Sequence, residues 1–258
     1  MPNQRGALIM YGRGAELGNF KFFADDLLTT ELKEYKNNAL IKKVERRDDF
    51  FNLLINPNII IRELHIYSHS IGGGLFLGYG DQDLATERLR EINKSTRSKS
   101  PNSTSYQTVL ATEQGTIFTD DLIRHPFSDY RDEIRSAFTP DAKIKIWGCN
   151  SGVSDWNYSD PIKPGVYTTN PSEQAEYYYW RALNEFNIPK PSIAQALANY
   201  FQRTTYGAGS GSNIQILYKS RWIASDVFLK TTGRRSVGEA DVLRLAPEKG
   251  DYNEYKPQ

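Results

Sequence analysis

The sequence predicts an α/β fold with a mostly parallel central sheet and helices on both faces. Through about the first 70 residues, short apolar runs that end in glycine or polar residues alternate with amphipathic segments at helical spacing. Strands that alternate with helices in this way pair in parallel through right-handed crossovers. The length of 258 residues, with 39% hydrophobic and 24% charged residues, suits one globular domain.

The amino-terminal part has the order strand, helix, strand, helix, strand. Residues 7–11 form an apolar run closed by glycines, which indicates a buried strand. Apolar residues recur every three or four positions over 22–35, which predicts an amphipathic helix. The same reasoning predicts a strand at 40–44, a short helix at 48–55 and a third strand at 64–67.

The remainder of the chain continues this pattern less regularly. The predicted elements are a helix at 127–138, a turn at 140–141, a strand at 143–147, helices at 172–186 and 192–203, and a strand at 214–218. We expect one domain over residues 1–258, divided into a core at 1–152, a polar flexible loop at 93–108, a carboxyl-terminal part at 153–230 and a polar tail at 231–258.

Charge and targeting signals exclude several classes of function. The 32 Lys and Arg residues nearly balance the 31 Asp and Glu residues, so we expect no nucleic-acid partner. The apolar run near the amino terminus is too short for a signal peptide or a membrane span. We therefore expect a cytoplasmic protein, and delivery by a route that reads no amino-terminal signal stays open. The single cysteine excludes an intrachain disulfide and a cysteine-based zinc site.

The one cysteine and one of the three histidines occupy equivalent places in the predicted sheet. His69 and Cys149 each lie just past the end of a predicted parallel strand, and glycines flank both segments. Sites in parallel sheets lie beyond the carboxyl ends of the strands, so we expect both side chains over one crevice. A thiolate attacks a carbonyl while an imidazole handles the protons, and glycine lets backbone N–H groups approach a developing oxyanion.

Two segments carry a family resemblance. Residues 68–78 read SHSIGGGLFLG, with a histidine after a strand, a glycine-containing stretch and a short apolar return. Residues 143–152 read KIKIWGCNSG, an apolar strand that ends in a cysteine. Together with the order of the amino-terminal elements, they resemble the caspase-like (clan CD) cysteine peptidases, the bacterial-type members more than the caspases proper. The resemblance covers residues 7–152 and implies the caspase-like three-layer fold.

The resemblance also implies roles for individual residues. His69 would be the general acid/base and Cys149 the nucleophile, with an oxyanion hole formed by the backbone N–H groups of Cys149 and Ser70. Glycine is usual in the family where Ser70 stands. Arg13, in the loop after the first strand, would contact the substrate side chain next to the cleaved bond.

The function implied is that of a cysteine endopeptidase that cleaves peptide bonds through a Cys-His dyad and a thioacyl intermediate. Its partners would be a protein or peptide substrate and a regulatory protein, and residues 153–230 would complete the substrate cleft. The resemblance implies no metal ion and no organic cofactor.

Two alternatives come from other classes of protein. The segment around Ser70 also resembles the nucleophile elbow of α/β-hydrolases, which would make Ser70 the nucleophile of a serine esterase or lipase. Ser68 stands where that motif has its first glycine, and no histidine follows the strand of Cys149. The second alternative is a caspase-like scaffold without catalytic activity that binds a protein partner.

Overall fold

The computed structural model describes residues 4–13, 20–78, 115–119, 121–154 and 191–258. The predicted flexible loop at 93–108 and the predicted helix at 172–186 lie outside these residues. The strands are β1 (Arg5–Tyr11), β2 (Ala39–Lys43), β3 (Ile60–Tyr67), β4 (His69–Ile71), β5 (Gly74–Phe76), β6 (Thr116–Phe118), β7 (Phe138–Ile146), β8 (Thr204–Ala208), β9 (Ser212–Tyr218), β10 (Arg221–Ala224), β11 (Leu243–Pro247) and β12 (Tyr252–Tyr255). The helices are α1 (Phe20–Thr30), α2 (Arg47–Ile55), α3 (Arg131–Ser136), α4 (Ile193–Phe201) and α5 (Ser225–Thr232).

A six-stranded sheet in the order β12-β8-β7-β3-β1-β2 forms the centre of the fold. Every neighbouring pair in this sheet is parallel except β12 and β8. Two three-stranded antiparallel sheets, β4-β5-β6 and β10-β9-β11, accompany it. The prediction of a mixed α/β fold with a mostly parallel central sheet is therefore confirmed.

Alternate side chains of β1 contribute to two separate hydrophobic cores, one on each face of the sheet. Leu8 and Met10 belong to the core that includes buried residues of α2, α3 and α4. Ala7 and Ile9 belong to the core that includes α1, α5, β9 and β11. Because successive side chains of a strand point to opposite faces, helices cover both faces of the sheet.

The region between residues 127 and 147 differs from the sequence prediction. Only a 3₁₀ turn at Phe127–Tyr130 and α3 are helical, and the strand begins at Phe138. Its register with β3 shifts, since Ile61 pairs with Phe138 but Glu63 pairs with Lys143. The extra residues in β7 form a bulge, and a bulge tolerates Pro140, for which the sequence predicts a turn.

The segment at 231–258, for which we expect a polar tail, forms part of the fold. This segment contains β11 and β12, and β12 is an edge strand of the central sheet. The sequence does not predict β11 because its run of apolar residues is short. Only the alternate residues Leu243 and Leu245 of this strand are buried. The Tyr252 ring packs edge-on against Trp147, with 5.4 Å between ring centroids. Backbone pairing with β8 and such aromatic contacts hold a strand whose composition looks like that of a tail.

The described helices are all short, and none of them is long and apolar enough to cross a membrane.

Candidate active site

The two predicted catalytic residues follow neighbouring strands of the central sheet. β3 and β7 are parallel, and Ile66 pairs with Ile146 near their carboxyl ends. His69 opens β4 two residues after the end of β3, and Cys149 lies in the turn that follows β7. The structure therefore brings the two segments to one edge of the sheet, as the sequence predicts.

The segments are in direct contact around Gly148. A Cβ atom at this position would lie 2.1 Å from Ser70 Oγ and 2.6 Å from the carbonyl oxygen of Ser68. Both distances are far below van der Waals contact, so only glycine fits between the two segments. The hydroxyl of Ser70 also donates a hydrogen bond of 2.6 Å to the carbonyl oxygen of Cys149.

The turn that carries Cys149 is fixed from several directions. Asn150 adopts the left-handed conformation, with φ of 54°, and its N–H donates to the carbonyl of Ser210 at 2.8 Å. Asparagine tolerates this conformation better than most residues. The buried hydroxyl of Ser151 donates to the carbonyl of Gly148 at 3.1 Å and accepts from the N–H of Ala208 at 3.0 Å. Among the described residues no acceptor takes the N–H of Cys149, which leaves that group available to a ligand.

The amino end of α4 links the two segments a second time. The N–H of Ile193 donates to the carbonyl of Gly72 at 2.6 Å, and that of Ala194 donates to the carbonyl of Ser151 at 3.0 Å. Ser192 caps the helix by accepting from the N–H of Gln195. The sequence predicts this helix but not its link to the site, because the link is made by backbone groups, which every residue type carries.

His69 packs against the first residue of α1. Its ring and that of Phe20 meet edge to face, with 5.2 Å between centroids. Burial lowers the pKa of His69 below its usual value of 6.5. The imidazole is therefore neutral at neutral pH and can accept a proton.

Cys149 is partly exposed, and Trp147, two residues before it, is packed among aromatic side chains. Trp147 stacks on Tyr67 with 5.2 Å between centroids and an interplanar angle of 6°. The ammonium group of Lys145 lies 3.7 Å from the centroid of Trp147 and 4.4 Å from that of Tyr252. Burial is the main cause that raises the pKa of the Tyr252 phenol, and electrostatic interaction with Cys149 adds to the increase.

The predicted substrate-binding residue Arg13 lies just past the carboxyl end of β1, next to β3 in the sheet. Arg13 is exposed, and its N–H donates to the carbonyl of Leu77 at 2.7 Å. Gly12 has no room for a side chain, since a Cβ atom would lie 2.6 Å from the same carbonyl oxygen. The backbone of Arg13 is thereby fixed at the same edge of the sheet as His69.

The other two histidines have different surroundings. His65 is buried within β3, and its Nδ1 accepts a hydrogen bond from Nε1 of Trp147. His125 lies on the surface, where Nδ1 is 2.6 Å from Oδ2 of Asp129. His65 is therefore a core residue, and His125 is a surface residue hydrogen-bonded to Asp129.

In the described residues that follow Ser70, 71–78, the structure has no helix of the kind that the hydrolase alternative requires. A nucleophile elbow is a strand, a sharp turn and a helix. Ser70 instead lies within β4, and the chain returns as β5 with Ser70 paired to Leu75. The Ser70 side chain is 6% exposed and is hydrogen-bonded to a backbone carbonyl.

Within the described ranges no three His, Cys, Asp or Glu side chains come together as ligands for a metal ion. No family model, no curated protein and no solved structure matches the chain.

Proposed function

We propose that the protein is a cysteine endopeptidase in which Cys149 is the nucleophile and His69 is the general acid/base. The observation that carries the proposal is the close contact at Gly148. There the segment of His69 and the segment of Cys149 pack so tightly that not even a Cβ atom would fit between them. A cysteine and a histidine on two such segments, at the carboxyl ends of neighbouring parallel strands, are the arrangement that thiol-dependent acyl transfer requires.

The reaction runs in two halves. Neutral His69 accepts the thiol proton, and the Cys149 sulfur attacks the peptide carbonyl to form a tetrahedral oxyanion. The backbone N–H groups of Cys149 and Ser70 donate to this oxyanion. His69 then protonates the leaving amine as the C–N bond breaks, which gives a thioacyl enzyme. Water transfers a proton to His69 and attacks the thioester, and the carboxylic acid leaves as the thiol is restored.

Local features support this assignment of roles. The burial that lowers the pKa of His69 keeps it in the form that accepts a proton. The N–H of Cys149 has no acceptor among the described residues, so it is available for the oxyanion. Hydrogen bonds of the Asn150 N–H and of the Ser151 hydroxyl hold the turn before substrate arrives, which is the preorganisation that electrostatic stabilisation needs.

The finer family assignment belongs to the same proposal. The short apolar return after His69 is the hairpin of β4 and β5, in keeping with a caspase-like fold. We propose that Arg13 contacts the substrate side chain beside the cleaved bond, because it is exposed at the edge of the sheet that carries His69. We further propose that the enzyme acts in the cytoplasm on a protein or peptide substrate, and that a protein partner regulates it.

The test compares wild type, Cys149→Ala, His69→Ala and Ser70→Ala on a peptide library and on short-chain esters. The matched control for His69→Ala is His125→Ala, which removes an exposed histidine. We expect Cys149→Ala and His69→Ala to lose peptide cleavage by at least 100-fold, as is typical for removal of a nucleophile or general base, while His125→Ala stays near wild type.

Other outcomes separate the alternatives. Full peptide cleavage by Cys149→Ala rejects the proposal. Ester hydrolysis that disappears in Ser70→Ala and persists in Cys149→Ala supports a serine hydrolase. Absence of all cleavage, with a Cys149 thiol that resists iodoacetamide, supports a scaffold without catalytic activity.

A further inference from the structure

The side chain of Ser70 makes a contact that a peptidase mechanism does not by itself require. Its hydroxyl donates to the carbonyl oxygen of Cys149 at 2.6 Å, and its residue is 6% exposed. In the proposed reaction only the backbone N–H of Ser70 has a role. The proposed reaction therefore gives no role to the hydroxyl of Ser70.

The contact acts on the peptide group that follows the nucleophile. The carbonyl of that group accepts from Ser70, while its N–H, on Asn150, donates to the carbonyl of Ser210 at 2.8 Å. A peptide plane with a hydrogen bond at each end cannot rotate without breaking one of them, and successive hydrogen bonds of this kind strengthen one another. The orientation of this plane sets the backbone torsion of Cys149 and so the direction of its side chain.

We infer that Ser70 is a positioning residue. Its hydroxyl holds the Cys149–Asn150 peptide in one orientation and thereby keeps the Cys149 thiol aligned with the imidazole of His69. The inference rests on the proposed function for its catalytic consequence. Ser70 lies next to His69 in β4, so one hydrogen bond connects the segment of the base to the backbone of the nucleophile. The hydrogen bond also depends on Gly148, because any larger residue at that position would displace the Ser70 hydroxyl.

Ser68 provides a matched control on the other side of His69. Its side chain is 1% exposed, and its hydroxyl has no hydrogen-bond partner among the described residues. Ser68→Ala and Ser70→Ala each remove one buried hydroxyl next to the same histidine. They differ in that only Ser70→Ala removes a bond to Cys149.

The experiment measures the rate of alkylation by iodoacetamide from pH 5 to pH 9 in the full chain. Cys149 is the one cysteine of the sequence, so the signal reports this residue alone. The rate depends on the thiolate fraction and therefore on the alignment of the thiol with its base. We expect Ser70→Ala to lower the rate at pH 7 by about 3- to 10-fold and to move the midpoint of the pH profile, the range that one backbone hydrogen bond gives.

The companion variants complete the test. Ser68→Ala should stay within about twofold of wild type, and Ser70→Thr, which keeps the hydroxyl, should recover the rate of Ser70→Ala to within about threefold of wild type. In peptide cleavage, Ser70→Ala should lower kcat by about tenfold and change KM by less than about threefold.

The remaining outcomes overturn either the inference or the proposed function on which its catalytic consequence rests. Alkylation of Ser70→Ala that equals that of wild type, or that changes no more than in Ser68→Ala, rejects a positioning role. If Ser70→Ala does not fold, Ser70→Gly takes its place. If neither variant folds, the hydroxyl is required for folding and the positioning role is rejected. A wild type that cleaves no peptide rejects the proposed function, while the alkylation comparison still decides the role of Ser70.

Discussion

The indole N–H of Trp147 donates a hydrogen bond of 3.1 Å to Nδ1 of His65. A neutral His65 ring therefore carries its proton on Nε2, which lies 3.6 Å from Oε2 of Glu63. Trp147 precedes Gly148 and Cys149, so the bond connects the core to the turn of the nucleophile. Protonation of Nδ1 would place two donors against each other and break it.

This relationship predicts a dependence of stability on pH. Burial lowers the pKa of His65, and Lys145 adds to this effect while Glu63 and Glu31 oppose it. Below the unfolded pKa of about 6.5 the unfolded chain binds more protons than the folded chain, so the free energy of unfolding falls as the pH falls. In His65→Gln the amide oxygen can still accept from Trp147, but the side chain does not titrate. Below about pH 6.5, the slope of the free energy of unfolding against pH should therefore be smaller by up to about 1.4 kcal/mol per pH unit. Urea unfolding at several pH values measures this, and an unchanged slope contradicts it.

Gly148→Ala should damage both stability and activity. The new methyl group would overlap the Ser70 hydroxyl and the Ser68 carbonyl, and overpacking of this kind costs about 1–3 kcal/mol in the free energy of unfolding. Gly238→Ala is the control, since its nearest contact, 3.2 Å from the new Cβ atom, is the flexible end of Arg234. We expect Ser70→Gly to recover part of the loss in Gly148→Ala, because it removes one of the two overlapping groups. Equal unfolding curves for the two alanine variants contradict the packing described for Gly148.

The carboxyl-terminal strand should stabilise the turn after Cys149. Tyr255 Oη donates to the carbonyl of Gly152, and Tyr200 Oη makes a similar bond to the carbonyl of Phe127, which lies outside this turn. Both Tyr255→Phe and Tyr200→Phe should lose about 1 kcal/mol of stability. Only Tyr255→Phe should speed amide hydrogen exchange at residues 148–152. Equal exchange in the two variants would mean that Tyr255 does not support this turn.

The contact between Phe20 and His69 predicts a change in the pKa of His69. Phe20→Ala opens the ring of His69 to water, so its lowered pKa should rise toward about 6.5. Phe23→Ala, three residues later on the same helix, is the control because Phe23 stacks on Tyr67 instead. NMR titration of the histidine ring protons measures both variants. A His69 pKa that moves equally in the two variants would contradict a local effect of Phe20.

The sequence predicts the central elements well because their signals are local. The apolar runs of β1, β3 and β7 and the helical spacing of α1 need no tertiary information. The positions of His69 and Cys149 follow from strand order alone. The pairing of β3 with β7, which the prediction only assumed, is what brings them together.

The features that the sequence does not predict depend on contacts between distant residues. β12 has too few apolar residues to be recognised, and its place depends on β8 and Trp147. The bond from Ser70 to Cys149 spans 79 positions, and nothing in either segment reveals it. The same is true of the backbone links from α4, which any residue type could make.

The most direct test of the central claim is to trap the acyl enzyme. A peptide that the wild type cleaves is mixed with excess enzyme, the reaction is quenched with acid, and the modified residue is identified by peptide mass mapping. We expect an adduct of the acyl fragment on Cys149 in wild type and none in Cys149→Ala. An adduct on Ser70, or continued cleavage by Cys149→Ala, would contradict the claim that Cys149 is the nucleophile.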